Sequence, residues 1–179
     1  AKVRSSIEDA LKVLTAPALK GKKMRKERHA KLRAISNKGI NWEAMSQRSL
    51  GVHWRKLNDE QRKRFSSTFS DLLASHYLNQ IDKFTGKEKV KYLSTEKKAK
   101  HSVVKMQIIT RSREKVPLDF FVNAGGDVFD VSIENVSIAN HYRGSFDRAL
   151  VNGDFETLMK KLERKVARKK KKLEAAAGS

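Results

Sequence analysis

The spacing of apolar positions changes twice along the chain, from a helical period to a strand period and back. Residues 5–15 set Ile7, Ala10, Leu11 and Leu14 on one helical face. Pro17 and Gly21 interrupt that helix. A second helix is predicted over 22–36, with Met24, Leu32 and Ile35 as its few inward positions. Asn41 is placed to cap a third over 42–51, which carries Trp42, Met45 and Leu50 and ends at Gly51. The strongest helical signal starts at Asn58, where Gln61 three residues later completes a capping box. Phe65, Phe69, Leu72, Leu73, His76, Tyr77, Ile81 and Phe84 then follow on one unusually aromatic stripe.

After Gly86 the period falls to two. Val90 and Tyr92, then Val104, Met106 and Ile108, then Leu118, Phe120 and Val122, then Phe129, Val131 and Ile133 alternate with mostly polar neighbours. Four strands joined by short turns near 111–115 and 123–127 predict an antiparallel sheet with one buried and one wet face. Asp119 and Asp130 fall on the polar phase and are expected to face water. The phase slips at Val136 and Ile138, which predicts a bulge or strand end near Asn135. Helical spacing returns over 143–151, with Phe146, Ala149 and Leu150 inward. A last helix is predicted over 154–167, capped by Asp154, with Phe155, Leu158, Met159, Leu162 and Val166 inward. The fold class is α+β, with helices on one face of a four-stranded antiparallel sheet. Residues 1–167 form one domain, and 168–179 read as a basic tail ending in a linker.

Composition adds three constraints. The 179 residues hold 40 Lys+Arg against 20 Asp+Glu, a net charge of +20, while 39% hydrophobic residues are enough for a core. The charge points to anionic partners: nucleic acid, acidic protein or anionic lipid head groups. It concentrates in 20–38 and 160–172, each with nine basic side chains and one acid. The segment 168–179 holds only five basic residues and one acid, so most of the excess belongs to the domain. No apolar run approaches the ~18 residues of a membrane-spanning helix, which predicts a soluble protein. Cysteine is absent, which excludes disulfides, thiolate metal sites and a cysteine nucleophile. The chain starts at Ala1 without an initiator Met, as a processed or trimmed chain does.

No nucleophile elbow, phosphate-cradling glycine loop or paired-His metal motif is present, and His29, His53, His76, His101 and His141 are scattered. No catalytic residue and no metal ligand is assigned. A nucleic-acid-binding module is the obvious alternative at +20, but it needs exposed aromatics amid basic residues. Here the aromatics lie on inward stripes, away from the basic segments. An enzyme would need a polar residue with a shifted pKa deep in a cavity.

Two stretches narrow the choice. The first runs Asn41-Trp42-Glu43-Ala44-Met45-Ser46-Gln47-Arg48-Ser49-Leu50-Gly51-Val52-His53-Trp54-Arg55-Lys56-Leu57 and continues through Gln61-Arg62, Phe65, Phe69, Leu72-Leu73 and Tyr77. The second runs Asp130-Val131-Ser132-Ile133-Glu134-Asn135-Val136-Ser137-Ile138 and continues to Tyr142-Arg143 and Phe146. Over roughly residues 5–166 the chain resembles the MlaC family of toluene-tolerance auxiliary proteins, periplasmic phospholipid-binding proteins of Gram-negative bacteria. Three positions depart from the family pattern. Ile40-Asn41-Trp42 replaces an aromatic–Asp–aromatic triplet, His141-Tyr142-Arg143 replaces Asn-Tyr-Arg, and Gly126 stands near a customary Trp.

The resemblance implies a twisted antiparallel sheet wrapped by helices, similar to the NTF2-like class, enclosing an apolar cavity. It also implies a periplasmic, non-enzymatic carrier with no cofactor and a bound phospholipid as cargo. Such a carrier moves lipid between an outer-membrane lipoprotein–porin complex and the MCE-domain subunit of an inner-membrane ABC transporter, with transient membrane contact and no nucleic acid. Lining candidates are Trp42, Met45, Phe65, Phe69, Leu72, Leu73, Tyr77, Val104, Met106, Ile108, Phe120, Val131 and Ile133. Tyr142 and Arg143 match the family's Tyr-Arg pair and are expected near the cavity mouth. Trp54 and Arg55 are expected to lock helices, and Lys22, Lys23, Arg25 and Lys26 to form a docking patch.

Overall fold

A computed structural model describes residues 2–84 and 86–177. The fold is α+β, with six helices and a five-stranded antiparallel sheet among the described residues. The chain divides into two compact units, one from residues 2–41 and 82–138, the other from 42–81 and 139–177.

The first unit holds α1 (Lys2–Thr15), α2 (Arg25–Gly39) and the sheet. The apolar stripe of α1 is partly buried, with Val3 its most covered residue, and a short 3-10 turn at Pro17–Leu19 follows. α2 starts later than the periodicity predicts, because Lys22–Met24 form a separate 3-10 turn. The start of α2 converges on one carboxylate. Arg25 Nε, Arg28 Nη2 at 2.8 Å and His29 Nε2 at 2.9 Å all meet Asp82, whose side chain is 12% exposed. Arg28 Nη1 also donates to the carbonyl of Leu19 at 2.8 Å. Lys22, Lys23 and Lys26 are exposed, whereas Arg25 is committed to Asp82 and does not belong with them.

Burial by itself raises the Asp82 carboxyl, but hydrogen bonds from Arg28, His29 and Arg25 outweigh it and hold the carboxyl below its ordinary value. A carboxyl depressed in the folded state stabilises the fold above its unfolded pKa of ~4, and that contribution is lost as pH falls through the folded value. Asp82→Asn is therefore expected to cost about 2 kcal/mol at pH 7, with the gap to the parent closing below about pH 4. Urea denaturation at several pH values measures this. A gap that does not change with pH would contradict the charge-based account.

The strands β1 (Lys89–Lys97), β2 (Ser102–Ile109), β3 (Lys115–Val122), β4 (Val128–Ile133) and β5 (Val136–Ser137) lie in chain order, each antiparallel to the next. The four strands predicted from alternation are all present, and β5 is an addition. Glu134 at φ +53° and Asn135 at φ +66° form the tight two-residue turn that joins β4 to β5, where a bulge or strand end is expected from the sequence. Ile138 opens the next helix rather than continuing a strand.

The alternation also misplaces two residues. The β3–β4 register slips between Phe121 and Val122, leaving Phe129 as the extra residue. Its ring packs against Phe121 at 6.2 Å and His101 at 5.7 Å, away from the face of Phe120 on which alternation puts it. Asp130 is fully buried rather than facing water. Its carboxylate accepts the Val131 amide at 2.9 Å and the Ser137 hydroxyl. Val103 and Ser132, on the same face as Asp130, are buried too, so that face is covered at this end. Asp119 is half-buried.

The second unit holds α3 (Trp42–Leu50), α4 (Asp59–Ile81), α5 (Ile138–Val151) and α6 (Phe155–Ala177). The capping box before α4 forms reciprocally. The Asn58 amide donates to Gln61 Oε1 at 3.0 Å, and the Gln61 amide donates to Asn58 Oδ1 at 2.9 Å. Asn58→Ala is expected to lower stability by about 1 kcal/mol, readable as a shift of the urea midpoint. The helix stops at Ile81, so Phe84 lies beyond the stripe to which periodicity assigns it. Asp154 Oδ1 accepts the Thr157 amide at 2.8 Å and caps α6. α6 continues through residues 168–177, which the sequence sets aside as tail and linker. It buries Phe155, Leu158, Met159, Leu162 and Val166. Arg64 of α4 bridges Glu156 at 2.8 Å and Glu163 at 2.9 Å on α6.

Candidate functional site

The helical unit centres on four rings. Phe65 and Phe69 stack at 5.6 Å on α4, and Tyr142 and Phe146 stack at 5.6 Å on α5. Edge-to-face contacts of 5.4 Å join Phe65 to Phe146 and Phe69 to Tyr142. The spacing of these residues explains the meeting: Phe65 and Phe69 are four apart, as are Tyr142 and Phe146, so each pair shares one helical face. Phe65 and Phe69 are wholly buried, as are Met45, Leu72 and Leu73 to within 3%. All five are packed core side chains. Trp42, Tyr77 and Tyr142 differ in being half-buried. Burial pushes the Tyr142 phenol up, and burial with the neighbouring Tyr142 does the same to Tyr77.

Arg143 is exposed, and its guanidinium lies over Gly51. Gly51 sits at φ +57°, so the backbone favours glycine, and a Cβ there would stand 2.9 Å from Arg143 Nη2 and push the guanidinium aside. Trp54 is 4% exposed beneath the Arg62 guanidinium, which also donates to the Trp54 carbonyl at 3.2 Å. The locking partner of Trp54 is thus Arg62, while Arg55 is exposed. His53 is buried and meets Asp147 of α5 at 2.7 Å.

In the sheet unit, register sets the remaining candidates side by side. Val104 is opposite Phe120, which is opposite Val131. Met106 is opposite Leu118, which is opposite Ile133, and Ile108 is opposite Val116. Directly paired residues project to the same side, so these form one continuous apolar face. Val104, Met106 and Val131 are buried, while Ile108, Phe120 and Ile133 are half-buried. Leu118 and Val116 share that face and that partial exposure but were not among the candidates. Their signal was the same two-residue phase. Phe146 was likewise absent from the candidates, although its spacing from Tyr142 points to the ring cluster.

Among the described residues no group of three or more His, Asp or Glu side chains could hold a metal ion. No helix among them is long and apolar enough to cross a membrane. The sheet unit offers a partly exposed apolar face, and the helical unit offers two half-buried phenols and an exposed guanidinium. That set suits non-covalent holding of an apolar molecule.

The class of protein is thus an α+β fold with an open antiparallel sheet bearing a partly exposed apolar face. The chain belongs to the MlaC family, whose model, described as MlaC protein, matches residues 4–164. A solved structure of a phospholipid-binding protein from Ralstonia solanacearum, in complex with a phospholipid, shares the fold. The match has a TM-score of 0.79 at 20% sequence identity and covers 94% of this chain and 96% of that one. A comparison with curated proteins gives no match.

Proposed function

We propose that this protein is a periplasmic phospholipid carrier that holds acyl chains against apolar side chains and performs no covalent chemistry. The observation that carries this reading is membership of the MlaC family across residues 4–164. The phospholipid in the Ralstonia solanacearum structure supports it. Partial exposure makes Ile108, Phe120 and Ile133 the lipid-contact candidates of the sheet unit, and Trp42, Tyr77 and Tyr142 those of the helical unit. The fully buried Met45, Phe65, Phe69, Leu72 and Leu73 are core of the helical unit. Arg143 is assigned to the polar end of the lipid.

The energetics fit a carrier. Two acyl chains bring on the order of 30 methylenes, each worth ~0.8 kcal/mol on leaving water, so release into water costs roughly 20 kcal/mol. Transfer from bilayer to apolar protein surface nearly cancels that term, because the chains are out of water in both places. Loading and unloading then proceed with small net bias, which docking to a partner can tip. The partners proposed are the MCE-domain subunit of an inner-membrane ABC transporter and an outer-membrane lipoprotein–porin complex. Incubation with vesicles containing a fluorescent phospholipid, followed by removal of the vesicles, tests the reading. Fluorescent lipid is expected to stay with the protein in near-stoichiometric amount, and protein that remains free of it would overturn the proposal.

A further inference from the structure

One face of α6 carries charge of a single sign. Between Lys160 and Lys172, a rise of about 18 Å, the side chains of Lys160, Lys161, Arg164, Lys165, Arg168, Lys171 and Lys172 fall within about 140° of the helix circumference. All of them are exposed. The buried Phe155, Leu158, Met159, Leu162 and Val166 occupy the neighbouring arc. The acids of α6, Glu156, Glu163 and Glu174, lie together on the other flank of that buried stripe, where Arg64 bridges the first two. No cation of the basic face forms an ion pair among the described residues. Lys170, which approaches Asp71 at 4.0 Å, lies outside the face. The cap carboxylate Asp154 feels Lys160 through space but accepts the Thr157 amide.

This arrangement works against the helix that carries it. Lys160 and Arg164, Lys161 and Lys165, Arg164 and Arg168, and Arg168 and Lys172 are each four residues apart, and like charges at that spacing weaken a helix. A face that served solubility alone would intersperse both signs. Segregation of the two signs to opposite flanks marks a surface that meets an anion-rich partner. What the face lacks narrows that partner. Protein interfaces hold by aromatic and apolar anchors seated in pockets, and this face offers none. Nucleic-acid surfaces set stacking aromatics or Asn and Gln among their cations, and this face holds only Lys and Arg. A bilayer containing anionic lipid needs no anchor, because its surface potential attracts every Lys and Arg within a Debye length. Its head groups are also laterally mobile, so flexible side chains meet them without a matching shape.

We propose that the basic face of α6 is the surface by which this protein docks on a bilayer rich in anionic phospholipid, by charge alone and without insertion. This assignment rests on the carrier reading, because a carrier that reaches the bilayer surface takes up acyl chains without exposing them to water. It gives part of the net charge of +20 a defined place and a defined use. It also separates two tasks: the face of α6 brings the protein to the membrane, and the apolar side chains hold the cargo.

Co-sedimentation of the full chain with vesicles tests this. The vesicles are phosphatidylcholine alone or phosphatidylcholine with one third phosphatidylglycerol. At low salt the parent is expected to bind the anionic vesicles more than about tenfold more tightly than the neutral ones, and to leave them at high salt. Lys161→Glu/Arg164→Glu/Arg168→Glu is expected to lose that binding by more than about tenfold, and the corresponding Gln variant to lose less. Lys87→Glu/Lys91→Glu/Lys100→Glu makes the same change in net charge at exposed positions of the sheet unit, and is expected to lose only a few-fold. Circular dichroism checks that each variant is folded. Equal binding to both vesicles, as a face reserved for an acidic protein would give, overturns the assignment. So does binding that survives high salt, or an equal loss in the two Glu variants. Binding to duplex DNA at a salt concentration that strips the parent from the vesicles, abolished by the α6 variant, overturns it in favour of nucleic acid. Uptake of fluorescent phospholipid is read in the same samples. Uptake without preference for anionic vesicles removes only the docking assignment, whereas salt-sensitive docking without retained lipid supports it and removes the carrier reading.

Discussion

Phe69→Ala is expected to destabilise the protein by about 3–5 kcal/mol, the range for removing a buried aromatic ring. Phe69 is wholly buried and touches three other rings, Phe65 at 5.6 Å, Tyr142 at 5.4 Å and Phe146 at 5.6 Å. Its loss leaves a cavity that rigid neighbours on two helices cannot close, and it removes aromatic pairs worth about 0.5–1.5 kcal/mol each beyond their buried area. With a typical domain stability of about 5–15 kcal/mol, the variant stands close to the limit of folding. Phe69→Leu keeps part of the volume and is expected to cost roughly half as much. Equilibrium urea denaturation decides the matter. A loss below about 1 kcal/mol for the alanine variant would mean that the four rings are not a mutually packed core.

The second large effect is functional. Phe120→Asp is expected to reduce loaded phospholipid by more than tenfold while leaving the protein folded. Phe120 lies between Val104 and Val131 on the apolar face but is only half-buried, so a carboxylate there can remain hydrated in the lipid-free protein. Against an acyl chain it cannot. Stripping water from a charged group without a partner costs several kcal/mol, and 1.4 kcal/mol is already tenfold in occupancy. Phe121→Asn, one residue on and on the opposite face, is the control and is expected to load normally. Lipid extraction with quantitative mass spectrometry, alongside circular dichroism for the fold, reads both. Full loading of the Phe120 variant would remove the sheet face from the proposed site.

Local patterns carried much of this architecture. The Asn58–Gln61 capping box and the Asp154 cap form as their spacing predicts, because capping involves only neighbours within one turn. Alternation placed Val104, Met106, Ile108, Phe120, Val131 and Ile133 on one face, because side chains in a strand alternate strictly. What escaped depends on distant partners or on one-residue irregularities. Phe129 changes sides because a single extra residue enters the β3–β4 pairing, and the alternation rule has no term for that. Asp130 reads as polar and exposed, yet its face is covered and Ser137 supplies a hydroxyl across the β4–β5 turn. Arg25, Arg28 and His29 look like a solvated basic face until Asp82, more than fifty residues away, is placed among them.

The candidate site shows the same division. The aromatic stripe of α4 was legible as a stripe, but not which of its residues are sealed and which stay accessible. Phe65 and Phe69 are sealed by rings from α5, a contact no local spacing encodes, whereas Tyr77, further along the same stripe, keeps partial exposure. The net charge of +20 likewise first suggested nucleic acid. Part of that charge is spent in ion pairs, as Arg25 and Arg28 meet Asp82 and Arg64 meets Glu156 and Glu163.

Native mass spectrometry of the full chain, after exposure to phospholipid vesicles and separation from them, bears most directly on whether this MlaC-family protein carries phospholipid. A species heavier than the bare chain by the mass of a phospholipid, released as that lipid on activation in the gas phase, is the predicted result. A spectrum of bare protein alone, with no lipid in an organic extract of the same sample, would contradict the carrier account.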